Sequence, residues 1–244
     1  MAAALLDMVR EGKRKGMDQL AHVLAPYVRD SKHGACYAWG SGSNFQLGET
    51  CAFVSKHKAA PRQVSELPTD LCAVVTSTLH SAVISASGTV WASGWTSGQG
   101  DQRNARGSKV RLGFHPIEGL DRLRVTCLAV SDHHTLAVVD SGGVYAWGNN
   151  KNGQLGLSVT GSKEAVVEFE GLPKRLAEVK HVRIISAAAA ARHSLIVQSD
   201  GCVWTFGCNQ QGELGHSVSI SECVCVSRTN GWALCRDARA RARL

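Results

Sequence analysis

Val144-Tyr145-Ala146-Trp147-Gly148-Asn149-Asn150-Lys151-Asn152-Gly153-Gln154-Leu155-Gly156 decides the fold, because both of its halves recur along the chain. The first half, an aromatic phrase closed by glycine, returns as Tyr37-Ala38-Trp39-Gly40, Trp91-Ala92-Ser93-Gly94 and Trp204-Thr205-Phe206-Gly207. The closing glycines stand 54, 54 and 59 residues apart. The second half returns as Gln46-Leu47-Gly48 and Glu213-Leu214-Gly215. A third phrase fixes the register: His80, His134 and His193 precede Gly88, Gly142 and Gly201 by 8 residues, and Gly94, Gly148 and Gly207 by 14. A period near 55 with fixed internal landmarks is the mark of repeated supersecondary units.

Within each unit, short apolar runs alternate with turn residues. Ala73-Val74-Val75, Ser81 to Ser85 and Thr89 to Ser93 read as three strands, with Ser87-Gly88 linking the last two as a hairpin. The same reading gives Cys127 to Val130, Thr135 to Val139 and Val144 to Trp147, then Ile184-Ile185, Ser194 to Val197 and Cys202 to Phe206. A fourth, outer strand is expected near Pro61 to Val64, Phe114 to Ile117 and Val166 to Phe169. Four-stranded units of this length stack radially as the blades of a propeller. The expected fold is therefore all-β, a partial, open β-propeller of about three to four blades, preceded by a short helical segment. Trp39, Trp91, Trp147 and Trp204 would each bury a ring between neighbouring sheets, worth about 2–3 kcal/mol apiece. One histidine per unit at equal depth reads as a hydrogen-bonding tie between strands, not as a metal ring or a catalytic group.

Three regions are expected. Residues 1–34 form a basic segment read as two short helices broken at Gly12 and Gly16, with Met17, Leu20, Leu24 and Tyr27 at helical spacing and Pro26 near the end. Residues 35–216 are the repeats. Residues 217–244 read as a basic tail outside the fold, because Ala238 to Arg243 alternates Ala and Arg with no core pattern.

The net charge of +7 resides mostly in the ends. Residues 1–34 hold six Lys/Arg against four Asp/Glu, residues 217–244 five against two, and the repeats sixteen against fourteen. Phosphate attraction is thus a property of the tails, and nucleic-acid association through the basic ends is a subsidiary expectation. The nine cysteines include no Cys-x-x-Cys pair, which argues against a structural zinc site, and a reducing compartment, cytoplasmic or nuclear, is expected. Residues 2–6 are apolar but too few to span a bilayer, so no membrane role is expected.

The aromatic-x-aromatic-Gly phrase, the Asn two residues beyond it (Asn150, Asn209), Gly153-Gln154-Leu155-Gly156 and the downstream His-x7-Gly together resemble the regulator of chromosome condensation repeat family. The resemblance covers residues 35–216 and implies a propeller whose blades are completed by strands of adjacent repeats, seven in the full family fold. It implies either an interaction platform within larger regulatory or ubiquitin-ligase assemblies, or guanine nucleotide exchange on a small GTPase. The chain departs from the pattern in carrying Ser77, Ser131 and Ala190 where glycine is usual three residues before the histidine, and Phe45 where glycine is usual in the second phrase.

No phosphate loop, nucleophile elbow or zincin motif is present, so no catalytic residue, metal or cofactor is expected. The expected role is a non-catalytic protein-protein interaction platform, with exchange of guanine nucleotide as the alternative. Partner contact is expected on loops carrying Ser43, Asn44, Phe45, Trp95, Arg103, Arg106, Lys109, Arg111, Asn149, Asn150 and Asn209. Three to four blades leave exposed aromatic faces at the ends, so a partner or a second copy is expected to close the ring.

Overall fold

Alternation of apolar and small residues with a period of two forces strands, and glycine-centred turns fold each strand back on its predecessor. The computed structural model describes residues 22–24, 36–48, 57–95, 110–157, 169–215, 224–227 and 233–235. These residues form four antiparallel sheets and no helix. The first sheet joins β1 (His22–Leu24), β2 (Tyr37–Ser41) and β3 (His57–Gln63). The second is β4 (Leu71–Thr76), β5 (His80–Ser85), β6 (Val90–Trp95) and β7 (Val110–Pro116). The third repeats it with β8 (Val125–Val130), β9 (His134–Val139), β10 (Val144–Asn149) and β11 (Phe169–Arg175). The fourth holds β12 (Ile184–Ala189), β13 (His193–Gln198), β14 (Val203–Gly207), β15 (Val224–Ser227) and β16 (Ala233–Cys235). Within each sheet every strand pairs with the next in sequence, and the set forms an open partial propeller.

Three expectations need correcting. Residues 22–24 are a strand paired through His22 with Trp39, not part of a helix, because Val23 and Leu24 gain ladder partners on β2. The remaining residues of the expected helical segment, up to 34, lie outside the described residues. The outer strand of the third sheet begins at Phe169 and runs to Arg175, further on than Val166 to Phe169. In the expected tail, residues 224–227 pair with β14 and residues 233–235 pair in turn with 224–227, adding two further strands, since the Val-Cys-Val run continues the period-two pattern.

The glycine phrase has a consistent backbone cause. Beside Gly40, Gly94 and Gly148 the register to the outer strand slips by a bulge, between Ala38 and Gly40, Ala92 and Gly94, and Ala146 and Gly148. A bulge raises the local twist and bends the strand away from its partner. Gly94 adopts φ 112° with its missing Cβ position only 2.5 Å from the Leu79 carbonyl oxygen, so a side chain there would strike backbone.

Three cores lie between successive sheets. Ala82, Ile84, Val90 and Ala92 of the second sheet meet Leu128, Ala137, Val139 and Trp147 of the third. On its opposite face the third sheet presents Leu136, Val138, Val144 and Ala146 to Ile196, Trp204 and Phe206 of the fourth. Cys36 and Ala38 of the first sheet meet Val83, Phe114 and Trp91 of the second. Each sheet therefore turns an aromatic face to its predecessor and an aliphatic face to its successor. The four tryptophans occupy two positions of the phrase. Trp91 and Trp204 take the first, while Trp39 and Trp147 take the third; Trp147 and Trp204 are buried, but Trp91 and Trp39 are half-buried.

Candidate functional site

The site with a repeated, constructed geometry is the rim that carries the histidines and the Gln-Leu-Gly loops. Its foundation is hydrogen bonding across sheets. The Nδ1 of His80 lies 3.1 Å from the Ser77 hydroxyl, and its Nε2 3.3 Å from the hydroxyl of Thr135 on the next sheet. His134 repeats this more tightly, 2.7 Å from Ser131 and 2.7 Å from Ser194 on the fourth sheet. Ser194 donates its own proton to the Gln154 carbonyl at 2.8 Å, so Nε2 of His134 is the donor and Nδ1 the acceptor. Burial pushes His80 down to about 4 and His134 down to about 3, and both are neutral at pH 7. They are interblade ties, with no open face toward a substrate. The serines at 77 and 131, where the family pattern has glycine, are the second half of each tie.

The loops are closed by side chains. Gln46, Gln154 and Glu213 each accept the backbone N–H two residues back, from Asn44, Asn152 and Gln211. Backbone hydrogen bonds and the Arg192 and His193 charges hold the exposed Glu213 carboxyl below its ordinary value, the hydrogen bonds being the larger cause. Asn150 and Asn209 turn inward, accepting the N–H of Leu155 and of Leu214 at 3.0 Å each, and Asn149 accepts from Lys151. Phe45 takes φ 60°, the left-handed conformation that Gly153 and Gly212 take at the same place in their loops.

These loops and turns share one rim. Gln46 donates to the Thr78 carbonyl, Thr78 N–H donates to Asp132, Asn149 N–H donates to the His133 carbonyl, and Cys208 N–H donates to the Arg192 carbonyl. Ser93 donates to the Phe45 carbonyl at 2.8 Å. The rim's accessible charges are mixed: Asp132, His133, Lys151, Arg192 and Glu213. The segment from Trp95 to Arg111 begins and ends here, because Trp95 pairs with Val110 and Gly94 with Arg111. Arg103, Arg106 and Lys109 lie outside the described residues. Of the expected contact residues, Ser43 is exposed on the rim, and Asn44, Phe45 and Asn149 are half-buried beside it; Asn150 is buried in loop construction.

Sequence reasoning missed the clasp formed by Gln46, Gln154 and Glu213, and the hydroxyl following each histidine (Ser81, Thr135, Ser194). The signal was present as a Ser-x-x-His-Ser/Thr phrase at 77–81 and 131–135. Among the described residues no group of three or more His, Cys, Asp or Glu could hold a metal ion, and no helix is long and apolar enough to cross a membrane.

Comparison with known proteins agrees with this architecture. A sequence model of the regulator of chromosome condensation (RCC1) repeat matches residues 141–197 and 200–228, and a second model of the same repeat matches residues 125–154. The ultraviolet-B receptor UVR8 of Arabidopsis thaliana is 34% identical over 182 residues, 73% of this chain and 38% of the receptor. The probable E3 ubiquitin-protein ligase HERC3 of Homo sapiens is 28% identical over 214 residues, 86% of this chain and 19% of the ligase. The chain thus spans well under half the length of these relatives. Human WBSCR16 superimposes with a TM-score of 0.62 at 20% identity, over 84% of this chain and 52% of that one. Yeast RCC1 (Prp20), in its structure with Kap60, gives 0.61 at 16% identity, over 87% and 57%. The repeated phrases, the interblade histidines and these matches place the chain in the regulator of chromosome condensation repeat family.

Proposed function

We propose that this chain is a non-catalytic interaction platform that binds a protein partner through the rim of loops 42–48, 150–156 and 209–215 and turns 77–79, 131–133 and 190–192. The observation that carries the reading is the construction of that rim. Its loops are fixed by Gln46, Gln154, Glu213, Asn150 and Asn209 from within, which leaves side chains such as Lys151, His133 and Arg192 displayed on a pre-ordered backbone. Pre-ordering lowers the entropic cost of association. Two of the three repeat histidines that invite a catalytic reading, His80 and His134, are buried, neutral and hydrogen-bonded at both nitrogens.

Exchange of guanine nucleotide on a small GTPase is the second reading, supported by family membership and by a solved relative, Prp20p of Saccharomyces cerevisiae, whose structure was described together with its binding to Gsp1p and histones. Membership in a ubiquitin-ligase assembly has similar support from the ligase relatives. Two measurements separate these. Crosslinking and mass spectrometry in cells, comparing wild type with a rim variant (His133→Glu, Lys151→Glu, Arg192→Glu) and an opposite-rim variant (Arg122→Glu, Lys180→Glu), should show partners lost only from the rim variant. Nucleotide release from a panel of small GTPases should be unchanged by the chain; catalytic stimulation of release would replace the platform reading with the exchange-factor one.

A further inference from the structure

Where the loop of the first sheet meets the turn of the second, the rim carries apolar side chains that its other loops and turns lack. In the loop, Phe45 stands where Gly153 and Gly212 stand in the later copies, and it holds φ 60° where they hold 74° and 80°. On the facing turn, Leu79 stands where the third and fourth sheets carry His133 and Arg192. The two segments touch: the missing Cβ position of Gly94 is 2.5 Å from the Leu79 carbonyl oxygen and 3.1 Å from the Cα of Gln46. Phe45 and Leu79 are both half-buried, and neither joins any of the three cores between the sheets. A side chain held in the left-handed region costs conformational energy, and strain of this kind collects at binding sites.

A carboxylate borders this apolar pair. Asp132, on the turn of the third sheet, accepts the Thr78 N–H at 2.9 Å, and the carbonyl of the same Thr78 accepts from Gln46 Nε2 at 3.0 Å. Thr78 therefore stands between the acid and the loop of Phe45, and it is next in sequence to Leu79. Asp132 forms no ion pair with a described residue. The backbone beneath the aromatic ring is fixed: Phe45 N–H donates to the Gly42 carbonyl at 2.9 Å, and Ser93 donates to the Phe45 carbonyl at 2.8 Å. An aromatic ring, an aliphatic side chain and an acid thus stand together on an ordered edge.

We propose that this junction is the anchor of the rim and takes an arginine side chain of the protein partner, a step that rests on the platform reading above. The three groups select arginine by its chemistry. A carboxylate alone would accept lysine as readily, and a ring beside a leucine would accept any apolar side chain. Arginine uses all three: its planar guanidinium stacks on an aromatic face, its N–H groups match a carboxylate in pairs, and its aliphatic stem packs on apolar surface. The same reasoning accounts for retaining Phe45 at a position where glycine is less strained, since glycine offers a cation nothing to stack on. Asp132 supplies the charge and Phe45 the surface, so each is needed for the other to discriminate.

Selection of a phage-displayed library of random peptides on the full chain tests it, followed by titration of the best synthetic peptide. The selected peptides should share an arginine, and replacing that arginine with lysine should weaken binding. Asp132→Asn and Phe45→Gly should each weaken the peptide by about tenfold or more. Neither loss would be one of folding, because asparagine still accepts the Thr78 N–H and glycine relieves the strain at 45, so thermal unfolding should be no lower in either variant. Selection without arginine overturns the proposal, and so does full affinity in either variant. The rim variant (His133→Glu, Lys151→Glu, Arg192→Glu) separates this failure from that of the platform reading. Peptides that lose affinity for the rim variant but not for Asp132→Asn or Phe45→Gly overturn the anchor and leave the platform standing. Peptides indifferent to every one of these substitutions overturn both.

Discussion

The Nε2 of His134 lies 2.7 Å from the hydroxyl of Ser194 across the boundary between the third and fourth sheets, and that hydroxyl donates onward to the Gln154 carbonyl. One serine therefore satisfies a buried ring N–H and a loop carbonyl at once. Ser194→Ala leaves both without that partner, at a cost of about 1–3 kcal/mol, because an unsatisfied buried group loses its full solvation. Ser81 holds the same register position in the second sheet, yet its buried hydroxyl has no hydrogen-bond partner among the described residues. Ser81→Ala should be neutral or stabilising. Urea midpoints at constant slope check the pair, and equal losses at both positions would contradict the tie as described.

Acid should loosen the stack before it unfolds the strands. Burial lowers His80 to about 4 and His134 to about 3, against an ordinary value of 6.5. Asp132 opposes the shift at His80, while His133 adds to it at both rings and His193 adds to it at His134. Because the folded values are depressed, the unfolded chain binds more protons between these limits. The contribution is fully present above pH 6.5 and is lost as pH falls through the folded values. Between pH 7 and pH 5 the loss should be about 2 kcal/mol for each histidine. Urea titrations at the two pH values measure it; His134→Gln should flatten the slope, and an unchanged slope would show that His134 already titrates normally.

The legible part of this fold was whatever repeats. Gly40, Gly94, Gly148 and Gly207 announced the strand ends, and the runs at 81–85, 135–139 and 194–197 coincide with β5, β9 and β13. Less legible was anything set by a neighbour. The unequal burial of the four phrase tryptophans was unreadable from spacing alone, because Trp39 faces away from the second sheet while Trp147 faces it. The strand at 22–24 was read as helix because Met17, Leu20 and Leu24 happen to fit a helical period, and pairing with β2 overrides that local pattern. On the rim, Asn150 and Asn209 looked like display residues, since an asparagine that braces a loop and one that meets a partner have the same letter.

Phe45 should be a local defect that glycine repairs. Its φ of 60° is one that a side-chain-bearing residue adopts at a cost of about 1–2 kcal/mol, and Gly212 adopts φ 80° at the same place with open space around it. Phe45→Gly should stabilise by about 0.5–1 kcal/mol, the gain being reduced by the greater freedom of glycine in the unfolded chain. Gly212→Ala should destabilise by about 1 kcal/mol with no steric clash to account for it. Thermal unfolding of the two variants checks both signs, and a loss on Phe45→Gly would mean that the ring's contacts outweigh the backbone strain.

Trp147 should be the most costly single truncation among the aromatic phrases. It is 1% exposed and fills the core between the second and third sheets with Ile84, Val90 and Val139, so Trp147→Ala leaves a cavity that the flanking strands cannot collapse into. Truncations of this kind cost about 3–5 kcal/mol. Trp91, half-buried at the first-aromatic position, should lose less on the same change. Both indole N–H groups are buried without a partner among the described residues, which separates size from polarity: Trp147→Phe removes that donor and should recover much of the stability that alanine loses. Denaturant unfolding of the three variants should therefore rank Trp147→Ala lowest and Trp147→Phe nearest to wild type. If Trp91→Ala proved the most damaging, the boundary between the first and second sheets, not that between the second and third, would be the one that holds the stack together.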